Sequence, residues 1–133
     1  MLITKNTLFE LVDQLKLIGH TKLDEGLSSI DVQYFSDAEK LSLTTPVFEG
    51  GNYIPPSVKS SLKEGPALPR TSIKTYVSVE EETFSIQLHY LGLIDSVEPR
   101  PVLELLEEFA HIAEEWRDYL NEQGEKDLMH VRK

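Results

Sequence analysis

Within Glu108-Phe109-Ala110-His111 a carboxylate and an imidazole stand three residues apart, the spacing by which helices present ligands to carboxylate-bridged di-iron centres. Such a centre needs a second copy of the pair and further inward carboxylates. The sequence holds one copy, so a solvated acidic helix face is the favoured account and no metal is expected. Glu104, Glu107, Glu108, Glu114 and Glu115 fall off the apolar stripe of the same segment and read as its wet side. Acid–base work by paired carboxylates needs one of them buried with a raised pKa, and nothing in the pattern predicts that burial. His89 falls on the polar side of an alternating segment and His111 beside a helical stripe. Without a nucleophile beside it, each reads as a surface or packing histidine rather than a base. Gly50-Gly51 lacks phosphate-loop spacing, and the sequence has no serine elbow, dinucleotide fingerprint or zinc signature. No catalytic residue and no cofactor are expected, and the chain does not read as an enzyme. Tyr34, Tyr53, Tyr76, Tyr90 and Trp116 carry polar tips that suit interfaces, although most fit a core or a sheet face.

Charge and composition narrow the partners. With 13 Lys plus Arg against 23 Asp plus Glu the net charge is −10, which repels nucleic acid backbones and anionic lipid headgroups alike. Neither nucleic acid nor membrane is an expected partner, whereas basic protein segments are compatible. The absence of cysteine excludes disulfides, thiol nucleophiles and cysteine-ligated metals, and fits a reducing compartment. The first residues lack the pattern of a secretory signal, and no apolar stretch approaches the roughly 18–20 residues needed to cross a bilayer. A cytoplasmic location is the expectation. A length of 133 residues with 40% hydrophobic composition fits one domain with an adequate core.

The elements that must position these residues follow from periodicity. Thr7-Leu8-Phe9-Glu10 has the form of a capping box, and Leu8, Leu11, Val12, Leu15 and Ile18 repeat at helical spacing up to the stop at Gly19. His20 to Ser28 reads as a connection. Residues 30–35 alternate as a strand, and a second strand through Leu41, Leu43, Thr45 and Val47 pairs with it as a hairpin, with Pro46 marking an edge or a bulge. From Glu49 to Thr71 glycines and prolines break every period, giving an irregular arm with room for one or two helical turns over residues 57–64 and apolar anchors at Tyr53, Ile54, Val58, Leu62 and Leu68. A strand from Ser72 to Glu80 and another through Phe84, Ile86, Leu88 and Tyr90 form a second hairpin. The tail Leu91-Gly92-Leu93-Ile94 is apolar on both sides, as for a segment covered on both faces or lying between subunits. Val102, Leu105, Leu106, Phe109, Ile112, Ala113, Trp116 and Leu120 then hold the helical period for about five turns, with Gly124 as the expected end and residues 125–133 as a tail that frays or adds a turn.

The fold class is therefore α+β: a four-stranded antiparallel sheet with an N-terminal helix and a long C-terminal helix packed on it. This layout, from Thr7 to Asn121 in a short acidic cysteine-free chain, resembles that of the class I type III secretion chaperones and their relatives. The resemblance implies a dimer that offers apolar sheet and helix surface to an extended segment of a secreted protein, held unfolded without ATP. No motif aligns, so no functional residue is carried over. The Pro-rich arm departs from the family, which has strand and helix there. The expected function is a protein-binding module, a homodimer whose partner is another protein such as a secreted effector. Its contact residues are expected to be Tyr53, Ile54, Val58, Leu62, Leu91, Leu93 and Ile94, the apolar surplus over what one sheet face and two helices cover. The alternative is a globular protein that binds a small apolar ligand or only itself.

Overall fold

The computed structural model describes residues 3–25, 28–68 and 72–131. Helix α1 runs over Lys5–Ile18. Its cap is Thr4, whose Oγ1 accepts from the Thr7 backbone N–H, so the helix starts one turn before the expected capping box at Thr7. Thr7 is a first-turn residue whose own hydroxyl accepts from Thr4 at 2.8 Å. Gly19 ends the helix in the left-handed region at φ 81°, a conformation that costs a residue with a Cβ about 1 kcal/mol or more.

The segment expected to be a connection is a strand. Strand β1, His20–Glu25, follows Gly19 directly and pairs antiparallel with β2, Ser28–Phe35. Strand β3 spans Lys40–Glu49, β4 Thr75–Glu80 and β5 Ser85–Leu93. The sheet thus has five strands rather than four, in the order β1-β2-β3-β5-β4, and every neighbouring pair is antiparallel. The two expected hairpins survive as β2–β3 and β4–β5, joined through the central pair β3–β5. Pro46, which cannot donate to the ladder, sits where the β3–β5 register shifts between Pro46 and Phe48. The arm contains a short helix, α2, over Pro56–Ser61. Helix α3 runs over Pro99–Val131 and passes through Gly124 instead of stopping there. Gly124 faces Val58 and Phe48, where an added Cβ would make ordinary van der Waals contact at 3.7 and 4.0 Å. Packing against α2 carries the helix past a residue that lowers its intrinsic stability by only about 1 kcal/mol.

One face of the sheet is covered. Leu23, Ile30, Val32, Leu41, Leu43, Val47, Ile86 and Leu88 alternate inward and are all buried, beneath Leu8, Leu11, Val12 and Leu15 of α1 and Val102, Leu106, Phe109, Ile112 and Leu120 of α3. The helical stripe expected on residues 102–120 is the cover. Arg117 lies beside that stripe and ties α3 to the bulge: its Nε and Nη2 donate to the Pro46 carbonyl at 3.2 and 3.0 Å, and Nη2 donates to Thr45 Oγ1 at 3.0 Å. Thr45 Oγ1 donates onward to the Ser29 carbonyl at 2.8 Å, so the carbonyl freed by the irregular register is satisfied and three elements are linked. Partial burial pushes the Arg117 guanidinium below its ordinary range, against the opposing pull of Glu114.

Candidate functional site

The β-strand period places a second set of side chains on the face away from the helices. In register across the sheet these are His20 and Lys22 of β1, Asp31, Gln33 and Phe35 of β2, Lys40, Ser42 and Thr44 of β3, Gln87, His89, Leu91 and Leu93 of β5, and Tyr76 and Ser78 of β4. This open face divides by chemistry. Towards β1 it is polar, and a hollow of about 580 Å³ is lined by His20, Lys22, Asp31, Gln33, Ser42 and Thr44 together with Thr21, Val32 and, from α1, Gln14 and Ile18. Towards the β2–β3 turn it is apolar. Phe35 is 44% exposed, Leu91 48% and Leu93 74%, and an open hollow of about 550 Å³ lies beside them, lined by Tyr34, Phe35, Ser36, Asp37, Ala38, Lys40 and Leu91. Tyr76 adds a further exposed ring on β4. On the two central strands β3 and β5 the open face carries two charged side chains at opposite ends of β3, Lys40 and Glu49, and between them Ser42, Thr44, Gln87 and His89, with Leu91 and Leu93 at the Lys40 end.

His89 stands in the middle of this face. Its Nδ1 lies 3.2 Å from Thr44 Oγ1 on β3 and its Nε2 lies 2.7 Å from Ser78 Oγ on β4, while its ring stacks on Tyr76 with centroids 4.9 Å apart and planes 20° from parallel. Burial pushes the imidazole below its ordinary 6.5, against the opposing influence of Glu80. The hydroxyl beside it comes from a neighbouring strand, eleven residues away in sequence, and linear spacing gave no sign of it.

The expected contact residues part company. Val58 is completely buried and Ile94 nearly so, both in the core, where α3 and the sheet already use their surface. Ile54 and Leu62 are partly buried against the same core. Tyr53, Leu91 and Leu93 are exposed. Tyr53 folds back on Gly50, whose N–H donates to the Phe84 carbonyl at 2.8 Å, so it belongs to the end of the sheet where β5 begins. Leu93 stands at the other end of β5, about 26 Å away at roughly 3.3 Å per strand residue. The seven residues therefore do not form one surface. The tail of β5 is not covered on both sides within the protomer: Ile94 turns inward, and Leu91 and Leu93 face solvent.

The Glu108-to-His111 pair is also separated. Glu108 accepts from the Ser72 N–H and from Ser72 Oγ, both at 2.6 Å, and these hydrogen bonds, with a smaller one from Ile73, hold its carboxyl below the ordinary 4.5. His111 faces Glu115 at 4.0 Å. Glu108 thus fastens the approach to edge strand β4 onto α3. A carboxyl whose pKa is lower in the folded state than in the unfolded one stabilises the fold above its unfolded pKa, and that contribution disappears as pH falls through the folded value. Glu108→Gln is expected to lose less than about 1 kcal/mol at pH 7, because the pair is solvated. Urea denaturation should find the difference from the parent protein smaller at pH 3 than at pH 7.

Among the described residues no helix is long and apolar enough to cross a membrane. The class I type III secretion chaperone-like fold is the fold of this chain. It is similar to a chain in the crystal structure of the ExsC–ExsE complex, at 16% sequence identity and a TM-score of 0.59 over 90% of this chain and 97% of that one. A chain of the ExoT–SpcS complex from Pseudomonas aeruginosa matches at 17% identity and a TM-score of 0.53, over 84% of this chain and 99% of that one. A chain of the HopA1–SchA chaperone–effector complex is 12% identical with a TM-score of 0.49, over 89% and 99% of the two chains. No family model and no curated protein matches the sequence.

Proposed function

We propose that this chain is a cytoplasmic protein-binding module of the secretion-chaperone type, a homodimer that holds an extended segment of a second protein. The observation that carries the reading is the open sheet face, where Phe35, Leu91, Leu93 and Tyr76 lie exposed on strands whose opposite face packs on the core. Contiguous apolar surface of this kind on a water-soluble protein marks an interaction site.

Charge decides the occupant of that face. Two copies of a chain with net charge −10 repel each other least where they meet through a stretch poor in acids, and on the central strands the open face from Lys40 to Thr44 and from His89 to Leu93 has no carboxylate, Glu49 standing at the far end of β3. A second copy fits it. A basic client segment is drawn instead to the acid-bearing end of the sheet, where exposed Tyr53 neighbours Glu49 and the turn through Glu80, Glu81 and Glu82. Among the described residues strand β4 pairs with β5 alone, and its outer edge is one with which an extended backbone can pair. Leu91 and Leu93 then serve the dimer, and Tyr53 the client.

The rival reading, a carrier of a small apolar ligand, calls for an enclosed apolar cavity with a few converging polar groups. The hollows described above open to solvent. Light scattering at rising protein concentration should give twice the mass of the 15.1 kDa protomer. Hydrogen exchange with a co-purified client should slow the β4 edge and the residues around Tyr53. A strict monomer whose β4 amides are unaffected by any bound protein would remove the proposal.

A further inference from the structure

We infer that His89 makes closure of the open sheet face sensitive to pH, so that acidification separates two copies of the chain. The inference rests on the reading above, in which that face meets a second copy, and adds its regulation.

His89 is placed to do this by the sheet register. It pairs with Thr44 on one side and Tyr76 on the other, and its neighbours along the same face of β5 are Gln87 and Leu91. The ring is thus near the centre of any interface built on Leu91 and Tyr76. Both ring nitrogens meet hydroxyls, from Thr44 and Ser78. A hydroxyl can donate or accept, so the two partners satisfy a neutral ring and a protonated ring equally well. Hydrogen bonding therefore does not fix the charge, and the surroundings do.

The charged and titratable groups on this side of the sheet come from the other four strands and one turn. Strand β4 contributes Glu80, which favours the protonated ring, and the Tyr76 phenol. From β3 the face presents Lys40, four residues from Thr44. β3 also presents Glu49, at its far end, β2 presents Asp31, opposite Thr44, β1 presents His20, Lys22 and Asp24, and Asp37 of the β2–β3 turn lines the hollow beside Leu91. The helices lie on the opposite face. Water is the main stabiliser of an imidazolium here, and burial already outweighs Glu80 in the single protomer. A second copy would remove more water from the ring while its strip of Leu91 and Leu93 supplies no carboxylate in exchange. Closing the face on a protonated His89 requires either burial of an unpaired charge or release of the proton.

The sign follows. The ring binds a proton less readily in the closed pair than in the free protomer, so association is at full strength well above the free protomer's pKa. It weakens as pH falls through that value. One proton released per protomer gives up to about tenfold weaker association per proton for each pH unit below it. The carboxylates act in the opposite direction, since their protonation reduces the repulsion between two chains of net charge −10. Weakening on acidification is therefore specific to a histidine on the face.

Sedimentation equilibrium of the whole chain at pH 7.5, 6.5 and 5.5 tests this, with His89→Gln and His20→Gln measured alongside and the fold of each variant checked by its denaturation midpoint. Gln keeps a donor and an acceptor for the two hydroxyls without the titration. The expected result is a dissociation constant at least tenfold higher at pH 5.5 than at pH 7.5 for the parent chain and for His20→Gln, and a flat or opposite trend for His89→Gln. A dimer of unchanging affinity, or one whose pH response survives His89→Gln, overturns the inference and leaves the dimer reading intact. A monomer at every pH removes both.

Discussion

Phe109→Ala is expected to lower the free energy of unfolding by about 3–5 kcal/mol, measured as a fall in the urea midpoint at unchanged slope. The ring is completely buried and is among the largest of the fully enclosed side chains. It sits midway along the stripe by which α3 covers the inward residues of the sheet, with Leu106 and Ile112 buried on either side. Removing it takes away both the transfer free energy of the ring and the contacts of everything around the space it leaves. The surrounding side chains belong to a rigid sheet and a long helix, so little collapse into the cavity is expected and the upper half of the range applies. Against the roughly 5–15 kcal/mol that holds a typical domain folded, the change is large enough to leave part of the protein unfolded at 37 °C. Leu105→Ala, at the margin of the stripe and only partly buried, should lose visibly less. Equal effects at the two positions would mean that α3 does not lie on the sheet as described.

The burial of Phe109 was legible in the sequence because α3 carries its apolar residues at a spacing that only a helix can bring to one side, whereas Leu105, read as part of the same stripe, is only partly buried. Strand β1 was not legible. Its six residues, His20-Thr21-Lys22-Leu23-Asp24-Glu25, contain one aliphatic side chain, Leu23, so no alternation stands out. The strand forms because Gly19 turns the chain back along β2, where its N–H and C=O groups find a ladder of partners. Val58 shows the reverse error. A short helix with a single large apolar residue looked like exposed arm, yet α2 packs against α3 and its valine is completely buried in the core. The apolar surplus at Leu91 and Leu93 was readable from the doubly apolar tail of β5, whereas the hydroxyls around His89 come from Thr44 and Ser78 on two other strands. Pairing register decides such a constellation, and register is set by tertiary contacts that a linear pattern does not encode.

Replacing Leu91 and Leu93 together by aspartate is expected to abolish self-association while leaving the protomer folded. Both side chains project from the open face of β5 and are 48% and 74% exposed, so within a single copy neither substitution buries a charge or opens a cavity. Aspartate is a poor strand residue, and the pair should lower protomer stability by no more than about 1–2 kcal/mol. The effect on the dimer is of another order. Four carboxylates, two from each copy, would enter an interface whose central strands carry only Lys40 as a counter-charge on each side. Burying an unpaired carboxylate costs several kcal/mol even after relaxation, and about 4 kcal/mol already corresponds to a thousandfold rise in the dissociation constant. Sedimentation should therefore find the variant monomeric at concentrations where the parent chain is fully paired. Leu17→Asp provides the control: this residue is 82% exposed on α1, on the other side of the molecule, and its substitution should leave the dimer untouched. A double variant that pairs as tightly as the parent would place the interface elsewhere, with the outer edge of β4 and the ring of Tyr53 as the next surfaces to alter.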